Sequence, residues 1–272
     1  MISKNEIPLH ILKNRDFYAD YAKNINLGEA SSSHRIDFFA VIWYKAEGPD
    51  QFIDFEPYPV NNNLIYLLSK DQVHYLPVPA PNAQVIIFSY SFFDRLEEEL
   101  RLPFLPFNNK GIAVTEDIEP VLQSLFKLMV TENKADNESS LLQNYMYAYL
   151  THINRLSHRN GPRSYFYDSR LKKLFTLINH NFRSEKFAAF YADQLGLTAK
   201  RINQIVQNEL GYTLSQLITI YNLVEAKREI SQNLKSFKEI AIELGFNSQS
   251  YFSRFFKKHT GQSPEEFRDT LL

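Results

Sequence analysis

Residues 240–268, "IAIELGFNSQSYFSRFFKKHTGQSPEEFR", set four large aromatics (Tyr251, Phe252, Phe255 and Phe256) among polar and cationic side chains. On a helix over 248–259, Gln249, Ser250, Ser253, Arg254 and Lys257 fall at i, i+1, i+4, i+5 and i+8, a single face. Phe252, Phe255 and Phe256 fall on the other. A core clamps such a helix from behind while a row of hydrogen-bonding groups stays outside.

The same stretch carries its own start and stop signals. Ser236 with Glu239 forms a capping box for a helix through Leu244. Gly245 permits a tight turn, since a residue without a Cβ takes a positive φ cheaply. Asn247 is placed to cap the next helix, and Gly261 fits the position just past its end. Ser263-Pro264-Glu265-Glu266 restarts the chain with a second capping box and proline at the first helical position.

The pattern occurs twice. "YADQLGLTAKRINQIVQNELGYTLSQL", residues 191–217, repeats it with Gly196, Thr198, Gly211 and Thr213-x-x-Gln216. Gly196 and Gly245 stand 49 positions apart, and the second copy has one extra residue before Gly261. On 198–209 the free face is Lys200, Asn203, Gln204 and Gln207, backed by Ile202, Ile205 and Val206. Between the copies, "TLSQLITIYNLVEAKREISQN" has no helix breaker. About 20 residues of helix span roughly 30 Å, near the ~34 Å between successive major grooves on one duplex face.

These side chains suit base-pair edges. Glutamine matches adenine, arginine matches guanine and serine matches either; Lys257 and Lys258 stand where phosphate contacts would follow. Two helices at a sharp angle, the second offering its polar face, are the logic of a helix-turn-helix. The alternative is two solvated faces of a plain helical bundle.

Upstream, the period changes. "RIDFFAVIWYKAEGPDQFIDFEPYPV" has two β-rich runs around a turn cluster at Glu47-Gly48-Pro49-Asp50. "NNLIYLLSKDQVHYL" and "AQVIIFSYSFF" add strands, separated by turns at Pro77, Pro79 and Pro81, which suggests a small sandwich or barrel. Thr115 is a candidate N-cap for a helix with apolar Ile118, Val121, Leu122, Leu125, Leu128 and Met129. Leu142, Tyr145, Tyr149, Ile153 and Leu156 mark a second helix, with the polar break "ENKADNES" between them. Residues 157–164, "SHRNGPRS", read as an exposed linker. The acid run Glu97-Glu98-Glu99 reads as solvated helix.

The net charge of −1 averages two unlike halves. Residues 163–272 hold 16 Lys+Arg against 11 Asp+Glu, a net of +5, and residues 1–162 hold 14 against 20, a net of −6. Such asymmetry points to a polyanion-binding part joined to something else. No cysteine is present, which excludes disulfides, thiolate zinc sites and cysteine nucleophiles. No signal-peptide core or membrane span is legible, so a cytoplasmic protein is expected.

Residues 168–272 resemble the DNA-binding domain of AraC-type bacterial transcription regulators, most closely through the 240–268 motif. The first motif departs from the family in carrying Asn203-Gln204 where such proteins often have Ser-Arg. The resemblance implies base-facing groups at Lys200, Asn203, Gln204, Gln249, Ser250, Ser253 and Arg254. Residues 30–95, through "HRIDFFAVIWYKAEG" and "LLSKDQVHYL", resemble the cupin-type sensor domain of such regulators. Metal-binding cupins use a His-x-His pair and a later histidine; here Arg35 and Ile36 follow His34, leaving His74 alone, so neither metal nor cofactor is expected.

The expected fold is α+β and multidomain. It has a cupin-like β-barrel over 1–110, a helical hairpin over 111–160 and an all-α double helix-turn-helix domain over 161–272. The hairpin either dimerises the protein, as the resemblance implies, or packs back on the barrel. Trp43, Tyr44, Tyr66 and His74 either line an effector pocket or form an aromatic core with a hydrogen-bonded histidine. The expected function is that of a regulator, not an enzyme. Double-stranded DNA, a second copy of the chain, RNA polymerase and a small-molecule effector are its expected partners.

Overall fold

The computed structural model describes residues 9–12, 15–25, 33–70, 72–75, 82–96, 100, 111–135, 138–159 and 169–270. Prolines 77, 79 and 81, the acid run 97–99, and residues 160–164 of the linker lie outside them. The described residues fall into two compact units, one within 8–161 and one within 162–272.

Among the described residues the first unit holds ten strands: β1 (Leu9–His10), β2 (Phe17–Tyr21), β3 (His34–Ile36), β4 (Phe39–Tyr44), β5 (Gly48–Ile53), β6 (Glu56–Val60), β7 (Leu64–Leu68), β8 (Val73–Tyr75), β9 (Ala83–Phe88) and β10 (Ile112–Ala113). They form two five-stranded sheets, ordered β1-β3-β8-β5-β6 and β10-β7-β4-β9-β2. Strand β4 is central in the second sheet, pairing antiparallel with β7 (Ile42 opposite Tyr66) and with β9 (Val41 opposite Ile86). All six of its residues are buried, so "FAVIWY" reads as an unbroken apolar run. Its alternate side chains feed two cores. Ala40, Ile42 and Tyr44 join Ile53, Tyr66 and Val85 in one. Phe39, Val41 and Trp43 join the helices in the other.

Those helices are α1 (Tyr90–Asp94), α2 (Glu119–Lys134) and α3 (Ser139–Arg159). Leu122, Phe126 and Met129 of α2, with Leu142, Met146, Tyr149, Leu150, Ile153 and Leu156 of α3, share the core of β4 and β9. The hairpin therefore packs on the sheet along one face. Its other face leaves Val121, Leu128 and Tyr147 exposed.

Several local expectations need correction. Gly48, Pro49 and Asp50 lie inside β5, beside a bulge, rather than in a turn. The reversal comes at Asp54 and Phe55, both at positive φ, as a tight two-residue hairpin demands. "SYSFF" is no strand: Ser89 accepts a hydrogen bond from the Phe92 N–H (3.1 Å) and starts α1. Thr115 heads a preceding turn, while Ile118 is the N-cap of α2 and Pro120 sits in its first turn. Val121 and Leu128 face outward; Phe126 takes the buried position instead.

The second unit is helical: α4 (Ser169–Asn181), α5 (Ala188–Gln194), α6 (Ala199–Leu210), α7 (Leu214–Gln232), α8 (Phe237–Glu243), α9 (Gln249–Thr260) and α10 (Pro264–Asp269). Thr213/Gln216, Ser236/Glu239 and Ser263/Glu266 form complete capping boxes. Gly196, Gly211, Gly245 and Gly261 are all left-handed. One expected cap moves by a residue: Ser248, not Asn247, accepts the Tyr251 N–H (3.1 Å) at the head of α9.

Candidate nucleic-acid interface

Helices α6 and α9 are each 12 residues long, capped by a hydroxyl (Thr198, Ser248) and closed by a left-handed glycine (Gly211, Gly261). Their caps lie 50 positions apart although Gly196 and Gly245 lie 49 apart, so the extra residue sits in the turn. Lys200, Gln204 and Gln207 therefore correspond to Ser250, Arg254 and Lys257.

The backing of α9 is aromatic. Phe252 and Phe256 are fully buried. Phe246 packs against Phe252 (ring centroids 5.3 Å) and Phe255 (4.9 Å), and Phe256 against Phe267 (5.5 Å). Phe255 is only half-buried and Tyr251 is exposed, so two of the four aromatics make the clamp. On the opposite side Gln249, Ser250, Arg254, Lys257 and Lys258 are exposed and Ser253 is half-buried. Gln249, Ser250, Ser253 and Arg254 make no side-chain hydrogen bond or ion pair with other described residues, so their donors and acceptors are available to a ligand. Lys257 makes a loose, exposed ion pair with Glu266 (3.7 Å), of a kind that solvent screens and that is readily exchanged for a phosphate.

On α6, Ile202, Ile205 and Val206 are buried, and Lys200, Gln204 and Gln207 are exposed. The Gln207 amide reaches the Gly211 carbonyl weakly, at 3.4 Å. Asn203 departs from the expected role. Its Oδ1 accepts the Leu214 N–H (2.9 Å), and its Nδ2 donates to the Ala199 carbonyl (3.0 Å). The side chain thus holds the start of α7 against α6, with both its oxygen and its nitrogen engaged within the chain. Arg201, by contrast, is exposed next to Lys200. Its charge on the helix's first turn was the available signal for it.

Of the four residues considered for an effector, Tyr44, Tyr66 and His74 lie together, with the Tyr44 and Tyr66 ring centroids 6.0 Å apart, and Trp43 does not join them. Trp43 faces the helical hairpin, with Lys45 Nζ 3.9 Å from its ring centroid, while Tyr44 and Tyr66 belong to the opposite core. Tyr44 donates to Gln51 Oε1 (2.8 Å), which also meets His74 Nε2 (3.1 Å); Tyr66 donates to the Pro59 carbonyl (2.7 Å). Burial, then the neighbouring His34, pushes the His74 pKa down to about 3, so the ring is neutral. Burial, with Tyr58 and Asp50 nearby, pushes Tyr66 up to about 12. Among the described residues, no three His, Cys, Asp or Glu side chains are arranged to hold a metal, and no helix is long and apolar enough to cross a membrane.

Residues 191–270 match the sequence family described as a helix-turn-helix domain. The chain is 24% identical over 246 residues to the HTH-type transcriptional activator RhaR of Mannheimia succiniciproducens, covering 88% of this chain and 87% of that one. It is 26% identical over 104 residues to the HTH-type transcriptional activator RhaS of Yersinia pestis, covering 38% of each. Among solved structures, ToxT of Vibrio cholerae O395 aligns over 95% of this chain and 100% of its own at 16% identity and TM-score 0.48. The C-terminal domain of AraT, a response regulator from Geobacillus stearothermophilus, aligns over 38% and 86% at 25% identity and TM-score 0.37. The duplicated capped motif thus lies inside the segment that matches a helix-turn-helix domain, and the relative aligned over most of both chains is named as a transcriptional activator, so this chain is similar to helix-turn-helix transcriptional activators.

Proposed function

We propose that α6 and α9 each enter a major-groove segment of one double-stranded operator. Gln249, Ser250, Ser253 and Arg254, with Lys200, Gln204 and Gln207, read base edges; Lys257, Lys258 and Arg201 neutralise phosphates. The observation that carries this is the divided surface of α9, where Phe252 and Phe256 are fully buried and Gln249, Ser250, Ser253 and Arg254 have no side-chain partner among the described residues. An architectural binder would need no such row of unpaired hydrogen-bonding groups.

The rest of the assignment follows a three-part division. Residues 1–110 respond to a small-molecule effector, 111–160 join two chains, and 161–272 bind DNA in the cytoplasm and act with RNA polymerase. The exposed Val121, Leu128 and Tyr147 on the hairpin's outer face support the second role. The buried Gln51 amide nitrogen, with no partner among the described residues beside Tyr44 and His74, supports the first. The relatives named as activators support the last.

The test is a selection of random duplexes by the purified chain. Enrichment of a bipartite sequence is expected, with each mismatch under α9 costing about 1–3 kcal/mol. Binding indifferent to sequence would overturn the reading.

A further inference from the structure

Two reading helices discriminate a bipartite site only if something fixes one against the other. Helix α7 connects them, yet a single helix leaves each motif free to pivot about its own end. Within the C-terminal unit a second link closes the loop. Lys186, just before α5, donates from Nζ to the Phe182 carbonyl (2.7 Å), to Asn222 Oδ1 on α7, and to the Leu244 carbonyl (2.6 Å) at the end of α8. Three segments thus meet on one ammonium: the entry to the first motif, the connecting helix and the turn of the second motif.

The surroundings fit a built joint. An ammonium has three N–H groups, and three oxygens receive them. A cation also suits the carbonyl end of α8. Asn222 is buried, and its Nδ2 donates to the Ile218 carbonyl (2.7 Å) and, at 3.4 Å, to that of Phe182. Phe246, the ring that backs α9, lies 5.0 Å from Lys186 Nζ. Next to the staple, Gly245 sits so close to the first motif's entry that a Cβ on it would lie 1.7 Å from the Arg183 carbonyl oxygen. Arg183 is itself tied to Glu225 of α7 (2.5 Å). Burial, with a smaller push from Arg183, lowers the Lys186 pKa to about 8, as a cation held away from water requires.

We infer that Lys186 is a positioning residue that sets the spacing at which the two helix-turn-helix motifs read DNA. It touches no base. It closes a joint between the motifs so that they bind as one rigid pair, and the inference rests on the DNA-reading assignment above. Without the staple each motif still reads its own half, but the entropy of pairing the halves must be supplied at binding.

The test uses the full chain and the duplex that the wild-type protein enriches from a random library. Variants of that duplex carry one or two base pairs inserted or deleted between the half-sites, each rotating one half by roughly a tenth of a turn. Wild-type affinity is expected to fall at least about tenfold with each change. Lys186→Met should bind the selected duplex about tenfold more weakly, bind isolated half-sites as wild type does, and show a spacing penalty within about threefold. Circular dichroism checks that the variant is folded. Should it be unfolded, Lys186→Gln, which keeps two N–H donors, takes its place with the same expectation in reduced size. A variant retaining the wild-type spacing penalty overturns the joint, as does a wild-type protein indifferent to spacing. Failure of the wild type to enrich any duplex overturns the DNA-reading assignment, and the joint with it.

Discussion

Asn203 and Arg254 have similar credentials in the sequence and different roles in the molecule. Both are polar and lie on the outward half of a second helix, but Asn203 is hydrogen-bonded to Leu214 and Ala199 whereas Arg254 has no side-chain partner among the described residues. Asn203→Ala should therefore cost about 1 kcal/mol of stability and leave base preference unchanged. Thermal melts and duplex selection check this, and a changed preference at unchanged stability would sink it. Arg254→Ala should relax preference at one base pair, worth about 1–3 kcal/mol. Lys258→Ala should weaken every duplex alike and reduce the slope of log affinity against log salt by about 1. Titrations over a panel of operators and salt concentrations separate the two. Two identical profiles would show that the division into base and phosphate contacts is wrong. Asn203 could not be assigned from its own chemistry, because its acceptor and donor partners are fixed by where α7 begins.

At the scale of elements, the turns of the two motifs look alike and bear different loads. Gly196 and Gly245 are both left-handed, with φ +62 and +73. Around Gly196 a Cβ would meet nothing within 4 Å among the described residues; at Gly245 it would strike the Arg183 backbone. Gly196→Ala should cost about 1 kcal/mol, from backbone strain alone. Gly245→Ala adds displacement of packed backbone and should cost more than about 3 kcal/mol, lowering the C-terminal unit's Tm by roughly 10 °C or more. Differential scanning calorimetry on both variants decides it, and equal effects would mean the turns are equivalent. Helix ends and capping boxes were legible in the sequence because their causes are local: a hydroxyl, a carboxylate or amide three residues on, a residue without a Cβ. The α2 cap and the outward Val121 and Leu128 were not. Which arc of an apolar helix is covered depends on the sheet it meets.

At the scale of the whole molecule, the two units should respond differently to acid. His74 is held neutral with its pKa pushed down to about 3, whereas in the unfolded chain it titrates near its ordinary 6.5. The unfolded state therefore binds the extra proton between those values. Its contribution to stability is full above about pH 6.5 and is lost as the pH falls towards 3, at up to about 1.4 kcal/mol per pH unit. The single tryptophan, Trp43, lies in this unit's core, so its fluorescence during urea unfolding reports this unit. Between pH 7 and 5 the wild type should lose about 2 kcal/mol more than His74→Gln. Parallel curves would remove His74 as the cause.

The duplicated motif, its capping boxes and its polar-outside, apolar-inside helices were legible in the sequence, since hydrogen bonds and spacings a few residues long decide them, although the cap of α9 moved from Asn247 to Ser248. The β character of residues 34–88 was equally plain from its apolar runs. Strand alternation puts Trp43 and Tyr44 on opposite faces, but tertiary structure alone decided what covers each, that the helical hairpin shares one of those cores, and that Asn203 serves its own backbone. It also decided that Lys186 would gather Phe182, Asn222 and Leu244 on one ammonium. Lys186 meets Asn222 and Leu244 at separations of 36 and 58 positions, and no local period or propensity encodes which distant group a side chain will meet.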